Sequence, residues 1–402
     1  MSLDAQPALP AAPGYGHASI ADVLTSSAAA AGAPGFANTL QLPNAPRVCV
    51  VLVDGLGKAL LKQRAAHAPF LRGVLGSDGG RHPATISSAF PSTTATSLTS
   101  LGTGVAPGLH GMVGYDVLDP DQDKVVNLLG HWDPGVDPLR WQPYPTVFER
   151  LDGHLPSTTI SLPKFASSPM TRAALRGSTF VGAATAHART EAAAEQMAAH
   201  KNMLMYFYWA ELDKAGHAHG SSSAQWEHQL EELDAAVKRL ATQLPADTLL
   251  LLTADHGMVD VAASARVDYS AHPELVAGVR HTAGEPRMVH LYLEPDAGEA
   301  VRDALVAAWL ARFGNKAWVL TRAQAIAAGF FGPEVRPEVA GRIGDVLIAA
   351  REPIAFYDTR RVNPSALEVV GQHGSITRAE REVPLLQIPV SGAGRATGRK
   401  RR

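Results

Sequence analysis

The chain has 402 residues, of which 46% are hydrophobic and 18% are charged, and its formal net charge is -2. This length allows one large core or two smaller ones, and the composition excludes an intrinsically disordered chain. The near-neutral charge gives no global basic field, so we do not expect a nucleic-acid polymer as partner. The single cysteine, Cys49, excludes an internal disulfide and a cysteine-based zinc cluster.

The two ends of the chain are predicted to lie outside the main core. Residues 1–46 are rich in Ala and Pro and are expected to form a surface arm with one short helix in "SIADVLTSSAAA". We find no secretory signal and no run of about 20 apolar residues, so we expect no membrane span and a cytoplasmic protein. Residues 391–402 are predicted to form a basic tail.

Strands and helices are predicted to alternate from residue 47 to residue 279. The apolar run "RVCVVLVDG" ends at Asp54 and is typical of a strand buried on both faces of a parallel sheet. The segment "GKALLKQRAAHAPFLRGVLG" predicts a helix. The pattern recurs in the strand "NMLMYFYWAELD", the amphipathic helix "SSAQWEHQLEELDAAVKRLATQL" and the strand "TLLLLTADHG". We therefore predict an α/β fold with a mostly parallel central sheet flanked by helices.

Residues 280–340 are predicted to form a small inserted α+β subdomain. The segments "PRMVHLYLEP", "GEAVRDALVAAWLARFG" and "AWVLTR" indicate a strand, a helix and a strand. Residues 341–390 are then expected to return to the core, with "RIGDVLIAAREPIAFYD" in the main sheet and "GQHGS" in a loop.

Acidic residues and histidines follow the predicted strands. Because ligands of an open parallel sheet bind at the carboxyl ends of its strands, we expect these side chains to meet at one edge. Any one of them could be a helix cap or a turn residue, but their recurrence at one topological position favours a metal site. Carboxylate and imidazole suit zinc, and six ligands favour two divalent ions over one. The six are Asp54, Asp213, His217, Asp255, His256 and His373.

The segment "FPSTTATSLTSLGTGVAPGLHGMVGYD" is dense in hydroxyl side chains. One hydroxyl at a helix N-terminus is ordinarily a cap. Beside two metal ions, however, such a hydroxyl can ionise and attack phosphorus.

Together these segments resemble the alkaline phosphatase superfamily, and most closely its nucleotide pyrophosphatase/phosphodiesterase branch. The matching segments occur in the family's order and span about residues 47–376. They are "VDGLG", "FPSTTATSLTSLGTGVAPGLHG", "ELDKAGHAHG", "TADHGM" and "GQHGS". The resemblance implies an alkaline phosphatase-like fold and a two-metal hydrolase.

The resemblance also implies a role for each residue. One ion would be held by Asp213, His217 and His373, and the other by Asp54, Asp255 and His256. Thr94 would be the nucleophile and would form a covalent phospho-threonine, although Thr93 is its rival because the run "STT" leaves the register open by one. Ser97 stands where the family often has an asparagine that contacts the phosphoryl group, and Tyr208 is a candidate for stacking on a base.

The favoured function is therefore hydrolysis of a phosphodiester or a nucleotide pyrophosphate bond. A phosphomonoesterase or phosphonate hydrolase of the same superfamily is the alternative, and a non-catalytic binding protein is an alternative of another class. The segment from Phe90 to Val113 contains no Lys or Arg, which favours a singly charged diester. A cation from a distant segment, such as Lys164, Arg280 or Arg287, would weaken that preference.

Overall fold

The computed structural model describes residues 7–75, 83–130, 132–133 and 135–392. The helices in these ranges are α1 Ala21–Ala30, α2 Lys58–Gln63, α3 Pro69–Leu75, α4 Thr94–Thr103, α5 Pro107–His110, α6 Pro138–Trp141, α7 Val147–Arg150, α8 Pro169–Ala174, α9 Ala186–Ala199, α10 Glu211–His219, α11 Ala224–Gln243, α12 Glu299–Phe313, α13 Arg322–Ala327, α14 Pro337–Ala340 and α15 Arg378–Arg381.

The strands in the same ranges are β1 Arg47–Val53, β2 Thr85–Ser87, β3 Asp116–Asp119, β4 Lys124–Asn127, β5 Ser157–Ser161, β6 Thr179–Gly182, β7 Met203–Trp209, β8 Thr248–Ala254, β9 Val259–Asp260, β10 Arg266–Asp268, β11 Val279–Glu285, β12 Met288–Leu293, β13 Ala317–Thr321, β14 Val346–Ala350, β15 Ala355–Tyr357, β16 Gly371–Gln372 and β17 Glu382–Ile388. The predicted basic tail lies, from residue 393 onward, outside the described residues.

A seven-stranded sheet with the order β2-β17-β8-β1-β7-β5-β6 forms the centre of the molecule. The five strands β8, β1, β7, β5 and β6 are parallel, whereas β17 and β2 are antiparallel additions at one side. Strands β7 and β8 are buried along their whole length, as their continuous apolar runs predicted. Helices flank the sheet, with α9 against β5 and β7 and α1 against β1. The predicted α/β class is confirmed.

The segments around β1 differ in detail from the prediction. The helix predicted after β1 is divided into α2 and α3, and α3 begins at Pro69, whose ring cannot continue a preceding helix. Helix α1 forms where it was predicted, but Val23, Leu24 and Ala28 are fully buried in the main core. The N-terminal arm therefore contributes to the core instead of only lying on it.

The inserted subdomain is built on an antiparallel sheet with the order β11-β12-β14-β13. Helix α12 packs on it, and the two share a separate apolar cluster that includes Leu291, Trp309 and Ile348. The assignment of "RIGDVLIAA" to the main sheet is wrong, because β14 pairs with β12 and β13. Strand β15 pairs with β10 in a small separate sheet, and only β17 returns to the centre. An apolar strand packs equally well in either sheet, so its composition does not identify its partner.

Candidate active site

The structure brings all six predicted metal ligands to the carboxyl ends of the central parallel strands. Asp54 directly follows β1, and Asp255 and His256 directly follow β8. Asp213 was predicted to lie at the end of the strand β7, but it lies in the first turn of α10. His217 lies one helical turn later, so the two side chains share a face of α10. His373 follows β16.

The ligand atoms form two overlapping groups. The first consists of Asp213, His217 and His373, and the second of Asp54, Asp213 and His256, with all ligand atoms of a group within 4.8 Å of one another. His217 Nε2 lies 3.3 Å from Asp213 Oδ2, and His256 Nε2 lies 3.4 Å from Asp54 Oδ1. Asp255 stands beside the second group, with its Oδ2 at 3.6 Å from His256 Nε2. Asp213 therefore links the two groups.

The hydrogen bonds of the three histidines leave the same ring nitrogen available in each. His217 Nδ1 donates to the carbonyl oxygen of Gly371 at 2.7 Å. In the same way, His256 Nδ1 donates to that of Gly257 at 3.0 Å, and His373 Nδ1 to that of Ser92 at 3.0 Å. A carbonyl oxygen only accepts, so Nδ1 carries a proton in each ring, and Nε2 is the atom whose lone pair can bind a metal when it is deprotonated. A backbone acceptor behind a histidine is typical of a metal ligand, since it fixes the ring's tautomer and orientation.

The carboxylates provide a second indication of a metal. Asp54 Oδ1, Asp213 Oδ1 and Asp255 Oδ2 are buried and have no hydrogen-bond partner among the described residues. An unpaired buried carboxylate oxygen is costly, and three of them at one place need a compensating positive charge. A bound metal cation would supply that charge, so the residues present fit a metal centre.

The pKa shifts of these residues reflect their burial and the closeness of their charges. Burial and the charges of Asp255 and Asp213 raise the pKa of Asp54 well above its usual range. Burial also raises the pKa of Asp255. For Asp213, burial is the largest single influence and acts upward, but His217, His373 and His256 together outweigh it and hold the pKa below its usual value. Burial, His256 and His217 lower the pKa of His373.

Thr94 carries the aliphatic hydroxyl that contacts this cluster. It is the first residue of α4, and its Oγ1 lies 3.2 Å from His256 Nε2. Thr93, the N-cap residue, faces Glu285 instead. Burial raises the pKa of that glutamate, and the Thr93 hydroxyl partly opposes the rise. The geometry therefore favours Thr94 over Thr93 as the candidate nucleophile.

Of the two predicted substrate contacts, only Tyr208 lines the cleft. Ser97 is fully buried one turn inside α4, where its Oγ lies 3.0 Å from Ser88 Oγ. Its side chain is not among those that line the cleft, so its predicted substrate contact stays a prediction. Tyr208 does line the cleft, and its hydroxyl donates a hydrogen bond to Asp54 Oδ2. Its ring packs edge-on against Phe165, with the centroids 5.8 Å apart.

The ligands open into a cleft of about 840 Å³ with aromatic walls. Tyr115, Phe165, Phe180, Tyr206, Tyr208, Tyr269, Phe356 and Tyr357 contribute to the lining. Of the distant cations considered from the sequence, Lys164 lines the cleft and is exposed. Arg280 instead pairs with Asp123 at the surface, and Arg287 is buried against Glu380.

Sequence reasoning missed several polar residues of the cleft. Lys214 follows the ligand Asp213 on α10, and Arg361 bonds Asp116 at 2.7 Å. Glu285 and Asp116 also line the cleft, and each has one buried oxygen without a hydrogen-bond partner among the described residues. Their sequence context gives no signal, because Glu285 ends an ordinary strand of the inserted subdomain.

Residues 48–376 match the family described as Type I phosphodiesterase / nucleotide pyrophosphatase. The chain belongs to this family. Type I phosphodiesterases and nucleotide pyrophosphatases are part of the alkaline phosphatase superfamily, so the resemblance seen in the sequence is confirmed. The family is metal-dependent and hydrolyses phosphoesters, which agrees with the ligand cluster.

Among the solved structures with the same fold are two kinds of relative. An inactive variant of murine ectonucleotide pyrophosphatase / phosphodiesterase 5 in complex with AMP has a TM-score of 0.64 and 17% identity, covering 85% of this chain and 88% of that one. Phosphonoacetate hydrolase from Sinorhizobium meliloti 1021 in complex with phosphonoformate has a TM-score of 0.63 and 18% identity, covering 85% and 89%. No curated protein matches the chain by sequence.

The structure can be searched for helices that could span a membrane. Among the helices in the described ranges, none combines the length and the apolar character needed to cross a bilayer.

Proposed function

We propose that the protein hydrolyses a phosphodiester or a nucleotide pyrophosphate bond, with Thr94 as the nucleophile. One observation carries the proposal: Thr94 Oγ1 lies 3.2 Å from His256 Nε2, directly beside the five candidate metal ligands of the two groups and the neighbouring Asp255. A hydroxyl at this position can reach a phosphorus atom that is held over the cluster.

The proposed cofactor is a pair of divalent ions, with zinc as the first choice. One would be held by Asp213, His217 and His373, and the other by Asp54, Asp255 and His256. Asp213 belongs to both groups of ligand atoms and could therefore contribute to the second ion as well. Such ions, when bound, supply Lewis-acid activation of oxygen and neutralise developing negative charge.

The reaction would proceed in two displacements at phosphorus, the first of them by Thr94. A bond forms between Thr94 Oγ and phosphorus while the bond from phosphorus to the leaving oxygen breaks. Water then attacks the phospho-threonine, which returns the hydroxyl and releases the second product. The first-turn N–H groups of α4 have no acceptor within the helix and can bind the phosphoryl oxygens. They would take the role that the sequence suggested for Ser97.

The cleft supports a substrate larger than a simple phosphate ester. Its volume lies within the range of small-molecule sites, and its aromatic walls can stack on a planar group. The Tyr208 hydroxyl is already bonded to Asp54, so Tyr208 would present its ring to the substrate while it orients a metal ligand.

Phosphonate hydrolysis is the second candidate. It is favoured by the two exposed lysines of the cleft, Lys164 and Lys214, which could pair with a second anionic group of the substrate. One of the similar structures is a phosphonoacetate hydrolase, which binds phosphonoacetate in another of its solved structures.

The deciding experiment compares substrates on one preparation that is saturated with zinc. The panel contains bis-nitrophenyl phosphate, a dinucleoside pyrophosphate, nitrophenyl phosphate and phosphonoacetate. The proposal predicts that turnover is highest on one of the first two and is lost in Thr94→Ala. Turnover of phosphonoacetate alone would favour the second candidate, and metal binding without any turnover would favour a binding protein.

A further inference from the structure

A buried ion pair lies behind the metal cluster and has no role in the reaction proposed above. Arg287, in the turn between β11 and β12, donates from Nε and Nη2 to the two carboxylate oxygens of Glu380 at 2.7 and 2.9 Å. Both residues are completely buried. Arg287 also donates to the carbonyl oxygens of Glu352 and Ile354 at 2.8 and 3.0 Å. It is therefore fully engaged and does not serve as a cation of the cleft.

Glu380 connects this pair to two segments that carry metal ligands. Its Oε1 accepts a hydrogen bond from the backbone N–H of Ser375, two residues after His373, at 3.0 Å. Its own carbonyl oxygen accepts from the N–H of Gly257, the residue after His256, at 2.7 Å. The one-turn helix α15 that carries Glu380 thus holds one loop from each of the two ligand groups.

The third metal segment packs against the same helix through glycines. A Cβ atom on Gly257 would lie 2.0 Å from the carbonyl oxygen of Ala379, which precedes Glu380. A Cβ atom on Gly57, three residues after Asp54, would lie 2.9 Å from that oxygen and 2.8 Å from the Cα of Gly257. Only residues without a Cβ allow the backbones to approach this closely. Helix α15 is consequently the point where three metal-bearing loops meet.

The segment before the candidate nucleophile joins the same network. Ser92 donates from Oγ to the carbonyl oxygen of Ser375 at 2.6 Å, and its own carbonyl oxygen accepts from His373 Nδ1 at 3.0 Å. The backbone N–H of Ser88 donates to the carbonyl oxygen of Arg381 at 2.7 Å. A displacement of α15 would therefore be transmitted to His373 through Ser375 and Ser92.

We propose that Arg287 and Glu380 are positioning residues, through which the inserted subdomain sets the affinity of the metal cluster. The carboxylate of Glu380 needs a cation because it is buried, and the subdomain supplies that cation through Arg287. Loss of the pair leaves the ligands themselves intact but frees the loops that orient them. Residues behind metal ligands typically change metal affinity about 10- to 100-fold when they are replaced. This inference rests on the metal cluster of the proposed function.

The test measures zinc affinity by competition with a chromogenic chelator, at a temperature well below the unfolding midpoint of each variant. Arg287→Met and Glu380→Gln remove the charge pairing, whereas Arg287→Lys keeps the charge and loses the two-pronged contact. The matched control is Arg342→Met. Arg342 is also buried, and it bonds the carbonyl oxygens of Gly111 and Trp141, away from the metal loops.

We expect at least about tenfold weaker zinc binding in Arg287→Met and Glu380→Gln, and a smaller loss in Arg287→Lys. Arg342→Met should lower the unfolding midpoint without changing zinc affinity. Wild-type zinc affinity in all three variants of the pair, together with lowered unfolding midpoints, would overturn the inference and leave the pair a stabilising contact only. If Arg287→Met does not fold, Arg287→Lys decides by the same criterion. Absence of zinc binding by the wild-type protein would instead refute the metal site itself.

Discussion

Replacement of Thr94 by alanine separates its chemical role from a structural one. The change removes the hydroxyl and one methyl group from a residue that is 4% exposed. The hydrogen bond that it loses is the 3.2 Å contact with His256 Nε2, so we expect a stability cost of about 1–2 kcal/mol. Thr94 belongs to neither ligand group, and zinc content should stay close to that of the wild type.

The effect on turnover should be far larger than the effect on stability. If Thr94 is the nucleophile, its loss removes the covalent route, and kcat should fall by about 10³-fold or more, equivalent to about 4 kcal/mol of activation free energy. Thr94→Ser keeps a hydroxyl and should retain partial activity. Thr93→Ala is the control for the neighbouring position and should remain active.

The assay is steady-state hydrolysis of bis-nitrophenyl phosphate, with zinc content and thermal unfolding measured on the same samples. An inactive Thr93→Ala beside an active Thr94→Ala would move the nucleophile by one residue. A Thr94→Ala variant that keeps wild-type kcat with two bound ions would refute nucleophilic catalysis by this hydroxyl.

Other outcomes follow from the geometry of the cleft. The nucleophile segment has no basic residue, so kcat/KM on bis-nitrophenyl phosphate should exceed that on nitrophenyl phosphate, by at least about a hundredfold in a Lys164→Ala variant that lacks the distant cation of the cleft, and equal values would reject a diesterase. Asp213→Asn should reduce bound zinc at both sites because Asp213 belongs to both groups, while His217→Ala should affect one; elemental analysis that shows equal losses would contradict this. Lys164→Ala should weaken turnover of phosphonoacetate more than that of a diester, and a uniform change in both kcat/KM values would remove its role in charge recognition. Ser97→Ala should change kcat/KM less than about threefold, since its side chain contacts Ser88 and not the cleft; a larger loss with unchanged unfolding would restore it as a substrate contact.

Local patterns in the sequence predicted the centre of the fold and its cluster of ligands. Continuous apolar runs identified β1, β7 and β8, because a strand covered on both faces has no polar side to alternate with. The carboxyl ends of parallel strands meet at one edge, so residues that follow those runs were expected together. Asp213 was placed correctly in space but assigned to the wrong element, since the first turn of α10 lies immediately beyond β7.

Tertiary pairings could not be predicted in the same way. Strand β14 pairs with β12 and β13 in the subdomain sheet. Which sheet an apolar strand joins depends on which sheet has a free edge in the folded protein, and the composition of the strand does not show this. Arg287 was considered as a possible cation for the phosphoryl group, yet its partner Glu380 lies 93 positions away in a segment without a recognised motif. Ser97 stands where the family often has an asparagine, but its side chain turns toward Ser88.

The most direct test of the two-metal site is a crystal structure of the wild-type protein grown with zinc, with anomalous diffraction recorded on both sides of the zinc edge. The account predicts two anomalous peaks. One should lie among Asp213, His217 and His373, and the other among Asp54, Asp255 and His256. A single peak, or no peak within this cluster at saturating zinc, would contradict the two-metal centre on which the proposed hydrolysis depends.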